Sequence, residues 1–216
     1  TTNMDTQRLR EIAAAGVRVA TNQLQYSALD HRPEHGLAAW CRQHGVALLC
    51  YGVLAGGFID ERWLGVPDPA PPLANRSLVK YRLIIEDFGG WERFQHLLRV
   101  LDGIARAHMT SIASVATRYV LDKPGVAVAI IGARTVDRLP TMLDALRVTL
   151  TDSERAAIEQ LAAAAPGPRG DCYDLEREAG GPHSAIMWKN QNAHGAPSDA
   201  LAYTPPLPPA RERGSA

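Results

Sequence analysis

The sequence predicts an α/β protein built on a parallel sheet. Three short apolar runs, within 17–27, 46–57 and 125–132, are typical of strands, and stretches with helical spacing of apolar residues separate them. Apolar runs without polar alternation indicate strands that are covered on both faces, as is usual when helices join parallel strands. In such architectures a ligand binds beyond the carboxyl ends of the strands.

Capping residues and stop signals define the predicted helices. Asp5 precedes the first helix and Gly16 follows it, Ser111 precedes a later one, and Thr151–Glu154 (TDSE) forms a capping box. The predicted helices are 6–15, 33–45, 91–108, 112–121, 137–146 and 151–164. The apolar face predicted for the helix at 91–108 consists of Phe94, Leu97, Leu98, Leu101, Ile104 and Ala105.

The rest of the chain lacks helical or strand periodicity. Residues 58–90 form a long, proline-rich connection, which we predict to be a binding loop or lid because long loops in compact domains usually serve function. The expected organisation is a main unit at 1–165, an extension at 166–192 that packs on it, and a proline-rich disordered tail at 193–216.

Composition excludes several classes of partner. The chain carries 23 basic and 23 acidic residues, so we expect neither nucleic acid nor a membrane surface to bind it, and a small molecule or another protein instead. The three cysteines show no CxxC spacing and the seven histidines are scattered, so we expect no disulfide framework and no metal site. No secretory signal or membrane-spanning run is found, and we expect a cytoplasmic protein.

The stretch AIIGARTVDRLPTML, residues 129–143, admits two interpretations. Gly132 allows close approach of a ligand to the backbone, and Arg134 and Arg138 are suited to bidentate phosphate contacts. Glycine and arginine are also common where a strand simply turns into a helix. From these residues alone, a phosphate site and an ordinary turn both stay open, and the turn is favoured.

Several phrases, taken in order, resemble the C-terminal half of an aldo-keto reductase. They are TNMDTQRLREIAAAGV, NQLQYSALDHRPE, LAAWCRQHGVALLCYGVLAGGF, SIASVATRYVLDKPGVAVAIIGARTVDRL and GDCYDLER, and they succeed one another over residues 1–190. The resemblance implies a TIM barrel that binds NADP(H) in extended form without a Rossmann motif. This chain would supply a partial (β/α)8 barrel, from the end of the fifth strand through the eighth.

The resemblance also implies which residues hold the nicotinamide. Thr2, Asn3 and Gln23 match the positions that bind the carboxamide group, and Tyr51 matches the aromatic residue that stacks on the nicotinamide ring.

Further matches concern the phosphates of the cofactor. Gly52 and Leu54 match the loop on the pyrophosphate side. Gly132, Ala133 and Arg134 match the phosphate-binding turn, and Arg138 matches the residue that faces the adenosine 2′-phosphate. Met142 stands where the family has an asparagine directed at the adenine, so that hydrogen bond is not expected here.

Family members reduce aldehydes, ketones or sugars by hydride transfer, with an Asp–Tyr–Lys–His tetrad as the proton-donating machinery. The positions of that tetrad precede Thr1, so we expect no catalytic residue in this chain and no turnover by it alone. Two alternatives stay open: a non-catalytic nucleotide-binding or protein-interaction module, and a truncated product without its own function. An open half-barrel would expose strand edges, which predicts self-association.

Overall fold

The computed structural model describes residues 1–133, 136 and 139–187, in which a three-stranded parallel sheet alternates with helices. The order of elements confirms the α/β prediction. The elements are α1 (Thr6–Ala14), β1 (Thr21–Gln25), α2 (Leu37–Gln43), β2 (Ala47–Tyr51), α3 (Arg76–Asp87), α4 (Trp91–Ala107), α5 (Ile112–Leu121), β3 (Val126–Ala129), α6 (Leu139–Leu143), α7 (Asp152–Ala163), α8 (Asp174–Arg177) and α9 (Pro182–Ala185).

The sheet has the order β1-β2-β3, with β1 and β2 in register from Thr21 opposite Ala47 to Gln25 opposite Tyr51. Beside β1, residues 1–3 add a short parallel segment. The Gln23 amide donates to the carbonyl of Thr1 at 2.9 Å, and the Asn3 amide donates to the carbonyl of Gln23 at 2.7 Å. Four parallel segments therefore bring their carboxyl ends to one edge of the sheet.

The prediction that both faces of the sheet are covered is wrong for the described part of the chain. On one face Leu24, Leu48 and Cys50 are completely buried. On the other face Gln23 and Leu49 are half-buried, and Val128 of β3 is 43% exposed. Burial alternates along β2 and along β1 as far as Leu24, whereas Gln25 at the end of β1 is buried. The apolar character of the strands therefore did not indicate how much of this second face is covered.

The first strand begins later than its apolar run suggests. Val17 is 56% exposed, and the hydrogen-bonded strand consists of the more polar residues from Thr21. Backbone pairing on both sides of β1 decides its position, and Asn22 is tolerated in the buried layer because its side-chain amide donates to the carbonyl of Met4 at 2.9 Å.

The helix predicted at 33–45 is split in two. Gly36 has φ 133°, which ends a 3₁₀ turn at Arg32–His35 before α2 begins. The helix predicted at 137–146 is also shorter: α6 is followed by a 3₁₀ turn at Asp144–Leu146, and Asp137 lies outside the described residues.

A helix occupies the region predicted as an unstructured connection. α3 begins where the Asn75 side chain accepts a hydrogen bond from the Leu78 amide at 3.0 Å. Its buried residues Leu78, Tyr81, Ile84 and Ile85 follow helical spacing. The prediction weighed the prolines at 67–72 and the glycines at 89–90, which flank this helix and do not interrupt it.

The core confirms other helical predictions. All six residues of the apolar face expected at 91–108 are buried in α4. The capping box before α7 is present, because the Glu154 amide donates to the Thr151 hydroxyl and the Glu154 carboxylate accepts from the Thr151 amide. Cys41, Cys50 and Cys172 are free and buried.

The segment after α7 contains two short helices that contact the rest of the protein through polar side chains. Glu176 of α8 forms an ion pair with Arg32 at 2.8 Å, and His183 of α9 contacts Asp87 of α3 at 2.7 Å. Residues 193–216, predicted as a disordered tail, lie outside the described residues. Within the described ranges, none of the helices combines the length and apolar character that crossing a bilayer requires.

Candidate functional site

Three of the predicted site residues, Thr2, Asn3 and Tyr51, lie at the carboxyl edge of the sheet, and the fourth, Gln23, lies in the middle of β1 and pairs with the segment that contains Thr2 and Asn3. Thr2 forms a parallel bridge to Gln23, and Tyr51, the last residue of β2, donates a hydrogen bond from its hydroxyl to Asn3 Oδ1 at 2.8 Å. Thr2 is exposed, whereas Asn3, Gln23 and Tyr51 are half-buried. Parallel pairing explains the grouping, because strand ends that are far apart in sequence emerge side by side.

The ring of Tyr51 lies beneath a cation. Lys80 of α3 places its ammonium 5.0 Å from the centre of the Tyr51 ring and 5.4 Å from that of Tyr81. Burial raises the pKa of Tyr51, so its phenol is neutral and donates at neutral pH. Burial lowers the pKa of Lys80, and this exceeds the opposing attraction of the Glu176 and Asp30 carboxylates.

Gly52 and Leu54, predicted for the pyrophosphate side, lie in the turn after β2. Gly52 has φ 72°, and a Cβ at this position would overlap the hydroxyl of Tyr81. Leu54 is half-buried and packs against the core. The contact with α3 accounts for the glycine, and a role of these residues toward pyrophosphate stays a prediction.

Gly132 and Ala133 follow β3 at the same edge of the sheet. The Ile130 amide donates to the carbonyl of Cys50 at 2.7 Å, which holds the end of β3 beside β2. Both Gly132 and Ala133 are exposed, and a Cβ at Gly132 would meet no atom within 4 Å. Arg134 and Arg138 lie outside the described residues.

A buried charge cluster, which the sequence analysis missed, lies near Tyr51 and Lys80. The Arg32 guanidinium binds the Asp30 carboxylate at 2.7 Å and the Glu176 carboxylate at 2.8 Å, and Gln25 donates to Asp30 at 2.6 Å. Arg32, Asp30 and Glu176 are each at most 5% exposed. Burial favours protonation of the two carboxylates, but the charge and hydrogen bonds of Arg32 outweigh it and lower the pKa of both.

Arg177 is a second residue that the sequence analysis did not assign. Its guanidinium donates to the carbonyl of Asn3, and it also contacts the Asp5 carboxylate at 2.9 Å. The phrase GDCYDLER, which contains Glu176 and Arg177, contributed to the family resemblance. No local pattern in it could have indicated these contacts, because their partners lie more than 140 residues earlier.

A surface cleft of about 550 Å³ lies elsewhere, lined by residues that include His31, Glu34, Phe88 and Arg169. None of the predicted site residues that the structure describes lines it. Among the residues whose placement the structure describes, no group of three or more histidines, cysteines and acidic residues is arranged to hold a metal ion. Among these features, the side chains best suited to bind a small molecule are therefore those of Asn3, Gln23 and Tyr51.

Comparisons with known proteins identify relatives over most of the chain. The profile of the aldo/keto reductase family matches residues 1–163. Protein tas of Escherichia coli K12 is 32% identical over 142 residues, which is 66% of this chain and 39% of that protein. An aryl-alcohol dehydrogenase of Pestalotiopsis microspora is 31% identical over 138 residues, covering 64% of this chain and 33% of that enzyme.

Solved structures share the fold. A glycerol dehydrogenase from Gluconobacter oxydans superposes with a TM-score of 0.65 at 21% identity, covering 78% of this chain and 50% of that one. An aldo/keto reductase from Klebsiella pneumoniae, in complex with NADP and acetate, has a TM-score of 0.54 at 23% identity over 79% of this chain and 48% of that one. The chain thus spans less than half the length of the curated relatives named above. With a family profile that matches three quarters of its residues, it belongs to the aldo/keto reductase family.

Proposed function

We propose that this chain forms the cofactor-binding part of an NADP(H)-dependent oxidoreductase that acts on small carbonyl or alcohol substrates. The observation that carries the proposal is the hydrogen-bonded pair Asn3 and Tyr51, beside Gln23, at the carboxyl edge of a parallel sheet. The family relationship supports it, as does the NADP bound to the relative from Klebsiella pneumoniae. We propose further that the sheet is part of a TIM barrel, its strands corresponding to the sixth, seventh and eighth.

The residues present fit the nicotinamide end of such a cofactor. The Asn3 side chain already accepts from Tyr51, so its amide NH2 is the group left to donate to a carboxamide oxygen. Gln23 is half-buried on the open face of the sheet, where its amide is accessible. When bound, the nicotinamide would supply the hydride. Tyr51 would contribute a flat, neutral ring for stacking.

We assign the phosphate end of the cofactor to the turn after β3. The exposed backbone at Gly132 has room for a ligand, and Arg134 and Arg138 supply the charge that we propose for the 2′-phosphate. Leu54 and Gly52 would line the pyrophosphate between the two ends. Met142 is half-buried in α6 and offers no amide to the adenine.

NADPH titration tests cofactor binding. The pure chain is expected to bind NADPH saturably and more tightly than NADH. Arg138→Ala should reduce the preference for NADPH roughly tenfold, as expected for one charged phosphate contact. Arg169→Ala, an exposed arginine away from the site, is the matched control and should change neither affinity. A chain without saturable NADPH binding would refute the proposal.

No turnover is expected from the chain alone, since the tetrad tyrosine that protonates the carbonyl in the family has no counterpart among the residues we assign. NADPH oxidation with aldehydes or ketones should stay at the rate without protein. Carbonyl reduction that disappears in Tyr51→Ala would contradict this expectation and give this chain a catalytic site of its own.

Self-association is a second candidate property, favoured by exposed apolar residues. Val128 in β3 and Ile130 just after it are 43% and 40% exposed, and Leu139, Leu143 and Leu146 are between 48% and 65% exposed. Light scattering coupled to size-exclusion chromatography should show oligomers. The oligomers should be reduced by Val128→Thr together with Leu143→Ser, and a monomer at all concentrations would contradict the idea.

A further inference from the structure

The backbone of Asn3 is held in an uncommon conformation by contacts from three segments. Its φ of 56° lies in the left-handed region, which asparagine tolerates better than most residues but still at a cost. Its amide donates to the carbonyl of Gln23 at 2.7 Å, its carbonyl accepts from Arg177, and its side-chain oxygen accepts from Tyr51 at 2.8 Å. Within residues 1–133 and 139–187, only its side-chain NH2 remains without a partner.

Arg177 is itself fixed on several sides. One guanidinium nitrogen contacts the Asp5 carboxylate at 2.9 Å, and the group lies 5.1 Å from the centre of the Tyr173 ring. Its neighbour Glu176 is buried against Arg32 at 2.8 Å. Two consecutive residues of α8 thereby attach this short helix to the start of the chain and to the connection after β1.

We propose that Arg177 is a positioning residue for cofactor binding. It holds the Asn3 backbone in the left-handed conformation. In that conformation the Asn3 side-chain oxygen accepts the hydrogen bond from Tyr51, and the Asn3 NH2 is free to donate to a carboxamide oxygen. Arg177 acts through Asn3 and does not touch the ligand. The inference rests on the proposed nicotinamide role of Asn3 and extends it, because it assigns the segment after α7 a part in recognising the nicotinamide end.

Two ligands that differ at the nicotinamide end distinguish positioning from general stabilisation. NADPH carries the carboxamide, whereas 2′-phospho-ADP-ribose keeps the adenosine 2′-phosphate and the pyrophosphate but lacks nicotinamide. In Arg177→Met, which keeps the aliphatic part of the side chain, the NADPH Kd measured by calorimetry should rise roughly three- to tenfold, the worth of one hydrogen bond. The Kd of 2′-phospho-ADP-ribose should stay within about twofold of its wild-type value.

Control variants test the specificity of this effect. Arg169→Met removes an exposed guanidinium that donates to the Pro166 carbonyl in the same segment, and it should change neither Kd. Arg177→Lys keeps a cation near Asp5 but has a single donor group, so its NADPH Kd should lie between those of wild type and Arg177→Met. This variant also serves if Arg177→Met fails to fold, as judged by circular dichroism.

The possible failures are separable. A wild-type chain that binds neither ligand refutes the proposed function and the role of Arg177 together. If wild type binds both ligands but Arg177→Met weakens them equally, or weakens neither, only the positioning role is refuted. Equal affinity of wild type for the two ligands would likewise remove the nicotinamide contact while leaving nucleotide binding intact.

Discussion

At the scale of single residues, the most consequential group is the buried arginine Arg32. Its single positive charge is shared by two buried carboxylates, Asp30 and Glu176, and its guanidinium replaces the water that would otherwise hydrate them. Desolvation makes such clusters weak contributors to net stability, but removal of one partner leaves unpaired charges and is costly. The cluster lies just beyond the carboxyl end of β1, next to the candidate site, so its integrity also shapes that edge of the sheet.

Arg32→Met is expected to lower the free energy of unfolding by about 3–5 kcal/mol, because Asp30 and Glu176 then lose the guanidinium that bonds both and keep only the longer-range attraction of Lys80. Urea unfolding followed by tryptophan fluorescence measures the change. Arg106→Met is the matched control. Arg106 is 77% exposed in its pair with Asp102, so its loss should cost about 0–1 kcal/mol. Equal effects of the two substitutions would contradict the role assigned to Arg32.

Lys80→Met is expected to have the opposite effect on the free energy of unfolding. Burial lowers the pKa of Lys80, so at pH 7 the folded state bears a cost for the charged amine that methionine removes. The contact with the Tyr51 ring offsets part of it, typically by about 0.5–1 kcal/mol. We expect the variant to be as stable as wild type or slightly more stable at pH 7. A clear loss of stability would show that the ring contacts and the nearby carboxylates outweigh desolvation.

At the scale of elements, α3 determines the shape of the turn that follows β2. Tyr81 fills the space above Gly52, and Lys80 from the same helix covers Tyr51. The helix was not predicted because proline and glycine dominate the sequence on either side of it. Its capping residue Asn75 and the spacing of Leu78, Tyr81, Ile84 and Ile85 were local signals that could have revealed it.

Two glycines with nearly equal φ angles allow a test of this packing. Gly52→Ala introduces a side chain at φ 72° that overlaps the Tyr81 hydroxyl, whereas Gly45→Ala at φ 68° meets no atom within 4 Å. Gly45→Ala should cost about 1 kcal/mol from backbone strain alone, and Gly52→Ala roughly 1–3 kcal/mol more from overpacking. Thermal and urea unfolding measure both. Equal costs would mean that α3 does not press on this turn in solution.

At the scale of the whole molecule, the buried thiols link stability to alkaline pH. Burial raises the pKa of Cys41 to about 11 and that of Cys50 and Cys172 to about 12. A group whose pKa is higher in the folded state than in the unfolded state stabilises the folded state. For a thiol this stabilisation is fully present below the unfolded pKa of about 8.5, and it is lost as the pH rises through the folded pKa.

The free energy of unfolding should therefore decrease as pH increases from about 8.5 to 11. Replacing the three cysteines by alanine should reduce the pH dependence between pH 8 and 9, where a tyrosine with an unfolded pKa of about 10 is ionised to about a tenth at most. Urea titrations at several pH values measure the slopes. Identical slopes for wild type and the triple variant would show that the thiols are not buried in solution.

The sequence by itself determined most of the helices, the α/β order and the family. Periodicity and capping report on neighbours within a turn or two, so the face of α4 and the box before α7 were predictable, as was the α/β order. Ordered family phrases identified the relationship that the profile over residues 1–163 confirms. They also directed attention to Asn3 and Tyr51, although only as positions in a pattern.

Only the tertiary structure decided how these positions are supported. The pairing of Arg32 with Glu176 spans 144 residues, and that of Arg177 with Asn3 spans 174, so no local spacing encodes either contact. The same holds for Lys80 above Tyr51 and for the unequal burial of the two faces of the sheet. The physical reason is that the pairing of buried charges and the exposure of a sheet face depend on which surfaces meet when the chain folds. Helices and turns depend instead on residues that are already close in the sequence.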